Sequence, residues 1–421
     1  MKTNQSLRRN IALLFLVKAS GFVLPLLTLP FLARVLGPEE LGVVVVAQSM
    51  ALLFGVVVEY GFSLSATRDI ARHRGDPVQV AELVCRVHSA KVMLSVVALA
   101  LALLAARFVP GMGNMTFALG AWAYATVIGF SPAWFFQGME SLRLMSVMDI
   151  AGKAASVALI YMCVGSDGAE HVLFLQSLGP AVAVALSMVW MYRSVDFRAP
   201  RVTQALWGLK EGGSMFIFRA AISLYTLANV FVLGLFVGPV QVAYFAGAEK
   251  LVRGAASAIG PVSQAIYPRV ARLVVEDRQA SIRLVQRTLL WMGTVTFAGA
   301  VFACLVSPQV TRLFFGPGYE PVAGMLRGLV WIVPLIAVGN VLGIQWMLAL
   351  KMDREFNVAV ICAGVVNLIA AACLARSWGA TGMVAASVLS EAVVVALILH
   401  ALIKRRALPL LQTDGRIRGE P

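Results

Sequence analysis

The 421-residue sequence predicts an all-α integral membrane protein, with about twelve transmembrane helices in two six-helix bundles related as parallel repeats. Three observations predict it. Hydrophobic residues make up 60% of the chain and charged ones only 13%, against roughly 25% charged in a soluble domain. Apolar runs long enough for the roughly 20 residues that cross a bilayer recur from one end to the other. The basic residues cluster at alternate ends of those runs, as the positive-inside rule expects.

Hydropathy places the first six spans near residues 10–33, 41–64, 87–107, 115–137, 146–164 and 171–192. The second six fall near 211–236, 240–266, 288–306, 325–349, 356–374 and 381–403. The first run follows Arg8 and Arg9 but exceeds a typical signal-peptide core, carries Lys18 and lacks a small-residue cleavage site, so it is expected to be retained. No room is left for a separate soluble domain. The five cysteines, Cys85, Cys163, Cys304, Cys362 and Cys373, are scattered singly and read as small hydrophobes rather than a disulfide framework.

The net charge of +14 follows the bilayer and does not indicate a nucleic-acid partner. With the N-terminus in the cytoplasm, roughly 24 basic residues fall inside, from Lys2 to the tail after Lys404, against roughly four outside: Arg34, Arg107, Arg312 and Arg376. Both termini are then cytoplasmic. A shift of 201 positions superposes Lys18 on Arg219, Gly37-Pro38 on Gly238-Pro239, Arg68 on Arg269 and Arg86 on Arg287. Matching Arg143 to Arg354 needs a shift of 211, which implies an insertion near Phe314 to Pro321. Residues 1–200 and 201–421 are therefore expected to form two lobes about an axis along the membrane normal, joined by the polar stretch from Arg193 to Lys210. The segments Ser65 to Arg86 and Ile266 to Arg287 are too polar to cross; they read as interfacial amphipathic helices or as solvated loops.

Ionisable residues inside spans are the candidate functional groups, because a charge near mid-membrane costs about 2.5–3.5 kcal/mol even on the lenient insertion scale. Lys18 in the first span and Arg219 in the seventh are repeat mates. Facing each other across the axis, they would suit a phosphate or diphosphate; the alternative is that each snorkels to the surface or pairs with a nearby acid. Glu59, and Glu249 with Lys250 and Arg253, are further candidates, although Glu249 and Lys250 could neutralise one another and Arg253 lies one turn from Glu249. Lys153 in the fifth span and Glu391 in the last lack an obvious sequence partner, and either could be a coupling group. The expected substrate-binding set is thus Lys18, Arg219, Arg253 and Lys153, and the ion-coupling set Glu59, Glu249 and Glu391. Lys91 reads as a snorkelling anchor, and the four dispersed histidines as solvent-facing or interfacial. Pro25, Pro30, Pro132, Pro180, Pro261 and Pro334 mark expected bends. The sequence contains no phosphate-binding GxxxxGK[ST] loop, no HExxH and no paired-cysteine motif, so no cofactor or metal is expected.

Several runs resemble the polysaccharide biosynthesis exporters, the Wzx-type O-antigen flippases. They are Pro25-Leu26-Leu27-Thr28-Leu29-Pro30-Phe31-Leu32-Ala33-Arg34-Val35-Leu36-Gly37 with Glu40-Leu41-Gly42, then Glu59-Tyr60-Gly61-Phe62 with Arg68-Asp69-Ile70-Ala71, and Pro132 to Glu140. Pro334 to Gln345 and Gly379 to Glu391 are similar in the second half. One departure is Glu59, where the family pattern suggests aspartate. The resemblance implies the multidrug/oligosaccharidyl-lipid/polysaccharide exporter fold, two six-helix bundles around a central cavity. It also implies movement of an undecaprenyl-diphosphate-linked oligosaccharide from the cytoplasmic to the periplasmic leaflet of a bacterial inner membrane. The energy source stays open among H+, Na+ and the substrate gradient, and other polysaccharide assembly proteins are candidate partners. Lys18 matches the basic first-helix position of related lipid II flippases. Two other readings are a drug or metabolite exporter of the same fold, and a membrane glycan polymerase or ligase, which would favour a long external loop that the sequence lacks.

Overall fold

The computed structural model describes residues 2–108, 114–166 and 168–411, and the side chains of residues 2–20, 22, 23, 214, 218, 221, 222, 225 and 411 lie outside the description. Described residues form helices and no strand, the arrangement that pairs backbone N–H and C=O groups without help from water. In order come α1 (Lys2–Glu59), α2 (Phe62–Arg72), α3 (Pro77–Ala106), α4 (Met115–Phe130), α5 (Ala133–Gly138), α6 (Leu142–Cys163) and α7 (Val172–Ser194). The second half carries α8 (Val202–Gly234), α9 (Pro239–Ala256), α10 (Ile259–Glu276), α11 (Arg278–Phe315), α12 (Pro321–Leu329), α13 (Ile332–Gly339), a π-helical stretch (Asn340–Met347) and α14 (Asp353–Lys404).

Among the described residues, seven segments are long and apolar enough to cross a membrane by length and composition. That number falls short of the hydropathy reading because α1 and α14 each merge two rods, and α4, α8 and α9 are not among the seven. α1 has 58 residues and α14 has 52, about 87 and 78 Å at 1.5 Å per residue, against a hydrocarbon core of about 30 Å. Each must cross twice. The bends fall at Gly37 (φ 73°, ψ 176°) and Gly379 (φ 58°, ψ −136°), left-handed conformations that glycine alone adopts at no steric cost. Counting α1 and α14 twice, and α3, α4, α6, α7, α8, α9, α11 and the α12–α13 unit once each, restores the twelve rods predicted from sequence.

Pro25 and Pro30 lie inside α1, whose non-helical residue is Gly37, and one expectation about local structure is corrected. The amphipathic stretch after the second rod is confined to α2, which buries Phe62, Ser65, Ala66 and Ile70, while α3 starts at Pro77 and absorbs Arg86. Its counterpart is divided between α10, which carries Arg269 and Arg272 and ends at Glu276, and α11, which begins at Arg278 and absorbs Arg283 and Arg287.

The two ends of the bundle differ in chemistry. At one end, Gly42 lies so close to α9 that a Cβ there would collide with the Pro239 carbonyl, and a Cβ on Gly379 would collide with Gln241. The Arg34 guanidinium donates to the Leu313 carbonyl, and the Tyr319 hydroxyl donates to the Ala33 carbonyl at 3.1 Å. The opposite end carries ion pairs between exposed or partly exposed side chains: Arg74–Glu140 at 2.8 Å, Arg86 with Glu82 and Glu211, and Arg405–Glu355 at 2.6 Å. Apolar residues such as Met162, Leu290 and Leu305 are exposed on the outer faces of the helices between these ends, where lipid replaces the cost of meeting water.

Candidate functional site

Polar side chains inside the bundle gather into three groups. Nearest the basic end, Glu59 closes α1 and accepts hydrogen bonds from the backbone N–H groups of Gly61 (3.1 Å) and Ser63 (2.6 Å). Arg219 on α8 reaches toward it, with 3.6 Å between Nη2 and Oε2. That separation is beyond a good hydrogen bond. Arg219 Nε is buried and has no hydrogen-bond partner among the described residues, so the guanidinium is under-satisfied. Beside the pair, Tyr60 stacks on Phe216 with ring centroids 4.4 Å apart, joining the first half of the chain to the second.

The second group lies between α8, α9 and α14. Glu249 Oε1 accepts from Arg253 Nε at 3.0 Å and from Asn229 Nδ2 at 3.2 Å. Asn229 also donates to Ser387 Oγ at 3.3 Å and accepts from Asn367 Nδ2 at 2.9 Å. Glu391 stands one turn beyond Ser387, partly buried. Glu249 and Lys250, expected as mutual partners, diverge: Lys250 Nζ donates instead to Gln48 Oε1 of α1 at 2.9 Å. Adjacent residues on a helix point about 100° apart, so one partner on each side is the natural outcome.

The third group surrounds a cavity of about 80 Å³ between α1, α4, α6 and α7, whose lining includes Thr28, Tyr124, Lys153, Ser156 and Gln176. Lys153 donates to Asp149 at 2.6 Å, one turn away on α6. Pro180 lacks the N–H that would bond the Gln176 carbonyl four residues earlier. Ser156 Oγ supplies the missing donor at 3.0 Å and accepts the Gly179 N–H at 3.1 Å. The bare backbones of Gly152 and Gly179 permit this approach, since a Cβ on Gly179 would collide with the Gly152 carbonyl. The distortion fixes Gln176, whose side chain accepts from Gln48 Nε2 at 3.0 Å and donates to the Tyr124 hydroxyl at 3.4 Å.

The candidate residues named from sequence thus separate. Arg219 meets Glu59, Arg253 meets Glu249, and Lys153 meets Asp149. The Lys18 side chain lies outside the described residues. Lys91, expected to snorkel, is 0% exposed: its Nζ donates to the Ser131 carbonyl at 3.4 Å and lies over the Trp134 ring at 5.7 Å. The carbonyl is available because α4 ends there. His88, one turn earlier, is likewise buried rather than interfacial, with Nδ1 3.0 Å from the Val84 carbonyl oxygen. Sequence reasoning missed Gln48, Gln176 and Tyr124, which carry no charge to mark them within an apolar run.

An all-helical membrane chain with paired charges and a polar cavity between its spans is a membrane transporter in class. This chain belongs to the family described as polysaccharide biosynthesis protein, whose profile matches residues 7–274. It is 31% identical over 378 residues to a protein of Escherichia coli (strain K12) named "Putative O-antigen transporter", covering 88% of this chain and 90% of that one. A protein of the same name from Shigella dysenteriae is 27% identical over 407 residues, covering 94% of this chain and 100% of the relative. The fold is similar to that of the lipid II flippase MurJ in an inward closed conformation (TM-score 0.68, 14% identity, 92% of this chain and 87% of that one). It is also similar to an inward-facing multidrug resistance MATE family transporter of the MOP superfamily (TM-score 0.61, 15% identity, 92% and 99%). The exporter fold and family expected from the sequence motifs are therefore established.

Proposed function

We propose that the protein is a flippase carrying an undecaprenyl-diphosphate-linked oligosaccharide from the cytoplasmic to the periplasmic leaflet of a bacterial inner membrane, with both termini in the cytoplasm. Residues 1–200 and 201–421 act as the two lobes whose rocking exposes the cavity to alternate sides. Sugar and diphosphate enter the cavity while the polyprenyl chain stays in lipid.

The observation that carries this reading is the state of Arg219. A guanidinium held at 3.6 Å from a carboxylate already occupied by two backbone N–H groups, with its Nε buried and unpaired, retains donors for a second anion. Diphosphate oxygens match that planar fork. Lys18 supplies a further charge from the first rod, and Arg253 and Lys153 are reserve cations whose carboxylate partners can be exchanged for substrate. Glu59, Glu249 and Glu391 are the groups for H+ or Na+ coupling, because each is a carboxylate on a membrane-spanning rod or at its end.

The test is a cell making surface glycan with Lys18→Gln and Arg219→Gln combined. The variant is expected to insert at normal abundance while delivery of lipid-linked glycan to the periplasm falls about tenfold or more, the worth of lost charge-assisted hydrogen bonds. Normal delivery would refute the assignment. The fold shared with multidrug transporters favours one other reading, a drug exporter. That reading predicts resistance on overexpression and no glycan defect on deletion.

A further inference from the structure

We infer that Gln176 and Tyr124, on the wall of the α1–α4–α6–α7 cavity, together with Gln48, which bonds Gln176 beside it, form a subsite for the uncharged, hydroxyl-rich part of the substrate, separate from the Arg219 guanidinium that meets its phosphates. The inference rests on the flippase reading above and specifies which part of the lipid-linked glycan each region recognises.

Three observations carry it. The first is the ladder itself: Lys250 Nζ to Gln48, Gln48 to Gln176, and Gln176 to Tyr124. A glutamine amide has two N–H donors and two acceptor positions, and a tyrosine hydroxyl both donates and accepts. With the bonds just named, each glutamine keeps one N–H and one lone pair, and Tyr124 keeps its O–H. All three side chains are partly exposed rather than sealed in the core, although hydrocarbon would leave such groups unsatisfied. They therefore face an interior that takes water or ligand. Alternating donors and acceptors along one wall match vicinal sugar hydroxyls, each of which also does both.

The second is charge. Lys153, which lines this cavity, is engaged by Asp149 at 2.6 Å, whereas Arg219 keeps a buried Nε without a partner among the described residues. The cavity of about 80 Å³ has room for several waters, each needing about 10–15 Å³ on this measure, or for the edge of a sugar ring that displaces them. The third is position. Gln48 and Glu59 stand on the same rod of α1, eleven residues apart, about 16 Å along the helix axis. That span suits a short oligosaccharide extended from a diphosphate at Arg219, and the sugar then reaches toward the glycine-cornered end. Pro180 and Ser156 hold Gln176 in place through the backbone, as a recognition side chain requires.

The experiment uses the full-length protein in proteoliposomes and two probes: undecaprenyl-diphosphate bearing one N-acetylglucosamine, and the same lipid bearing a pentasaccharide. Gln48→Ala combined with Gln176→Ala is expected to slow the pentasaccharide lipid about tenfold, the cost of one or two lost hydrogen bonds, while the monosaccharide lipid changes less than about twofold. Equal slowing of both probes, or no slowing of either, would overturn the subsite. Wild-type protein that moves neither probe would instead overturn the flippase reading, so the two failures are distinguishable. Should the double variant not fold, a photoreactive free pentasaccharide applied to the unaltered protein is expected to label the α1 or α7 peptides holding Gln48 or Gln176. Labelling confined to peptides of the exposed loops would sink the inference.

Discussion

The two ends of the bundle hold the halves of the chain together by different physics. At the glycine-cornered end, backbone meets backbone where Gly42 packs against Pro239. At the basic end, side chains do the joining, through the Tyr60–Phe216 stack, the loose Glu59–Arg219 pair and the Arg86–Glu211 bridge. The first kind of contact has no give, because any side chain added there collides. The second can be weakened by degrees and re-formed with other partners. Under the alternating access proposed above, the first end would be a steric seal and the second an exchangeable one.

Substitutions can break or sharpen that contrast. The largest effect is expected for Gly42→Val, which drives a side chain into the Pro239 carbonyl and should cost about 1–3 kcal/mol or more as overpacking. Thermal unfolding in detergent and labelling of a cysteine introduced at position 38 read the result; an unchanged midpoint and unchanged labelling would show that the seal does not depend on glycine. Tyr60→Leu comes next, losing the stack on Phe216, which is worth about 1 kcal/mol and should make the basic end more accessible to labels. A double-mutant cycle of Glu59→Gln with Arg219→Gln should give a coupling of about 0.5 kcal/mol, since the pair is 3.6 Å apart and the arginine 41% exposed. A coupling several times larger would mean that the pair is a rigid latch rather than an exchangeable one. The smallest effect belongs to Glu140, where the Arg74 guanidinium holds the carboxyl below its ordinary range. A depressed carboxylate contributes stability above its unfolded value and loses it as pH falls through the lowered one. Glu140→Gln should therefore lower the midpoint slightly at neutral pH and match the unaltered protein in strong acid.

Much of the architecture was legible because lipid enforces it. Spans, both double crossings and the basic end follow from the cost of placing charge or bare backbone in hydrocarbon. Local joints were less legible. Prolines at 25 and 30 suggested bends, and both lie inside α1, where a proline's missing hydrogen bond can be tolerated; the rod ends outright at Gly37, which adopts a left-handed conformation. Lys91 resembled an anchor because only its distance from the span end was visible; the Ser131 carbonyl and Trp134 ring that receive it come from the exit of α4 and from α5. For Arg219, repeat symmetry compares like positions with like, so it pointed to another cation and not to Glu59, whose own mate in the second half carries no such role. The amide ladder left no signal at all, being uncharged and assembled from residues 128 and 202 positions apart.

The single-residue corner at Gly37 also matters to anyone mapping topology. Two crossings are joined there through one non-helical residue, with no slack between them, so a reporter or epitope inserted at that point would pull on both rods and misreport the side it was meant to reveal.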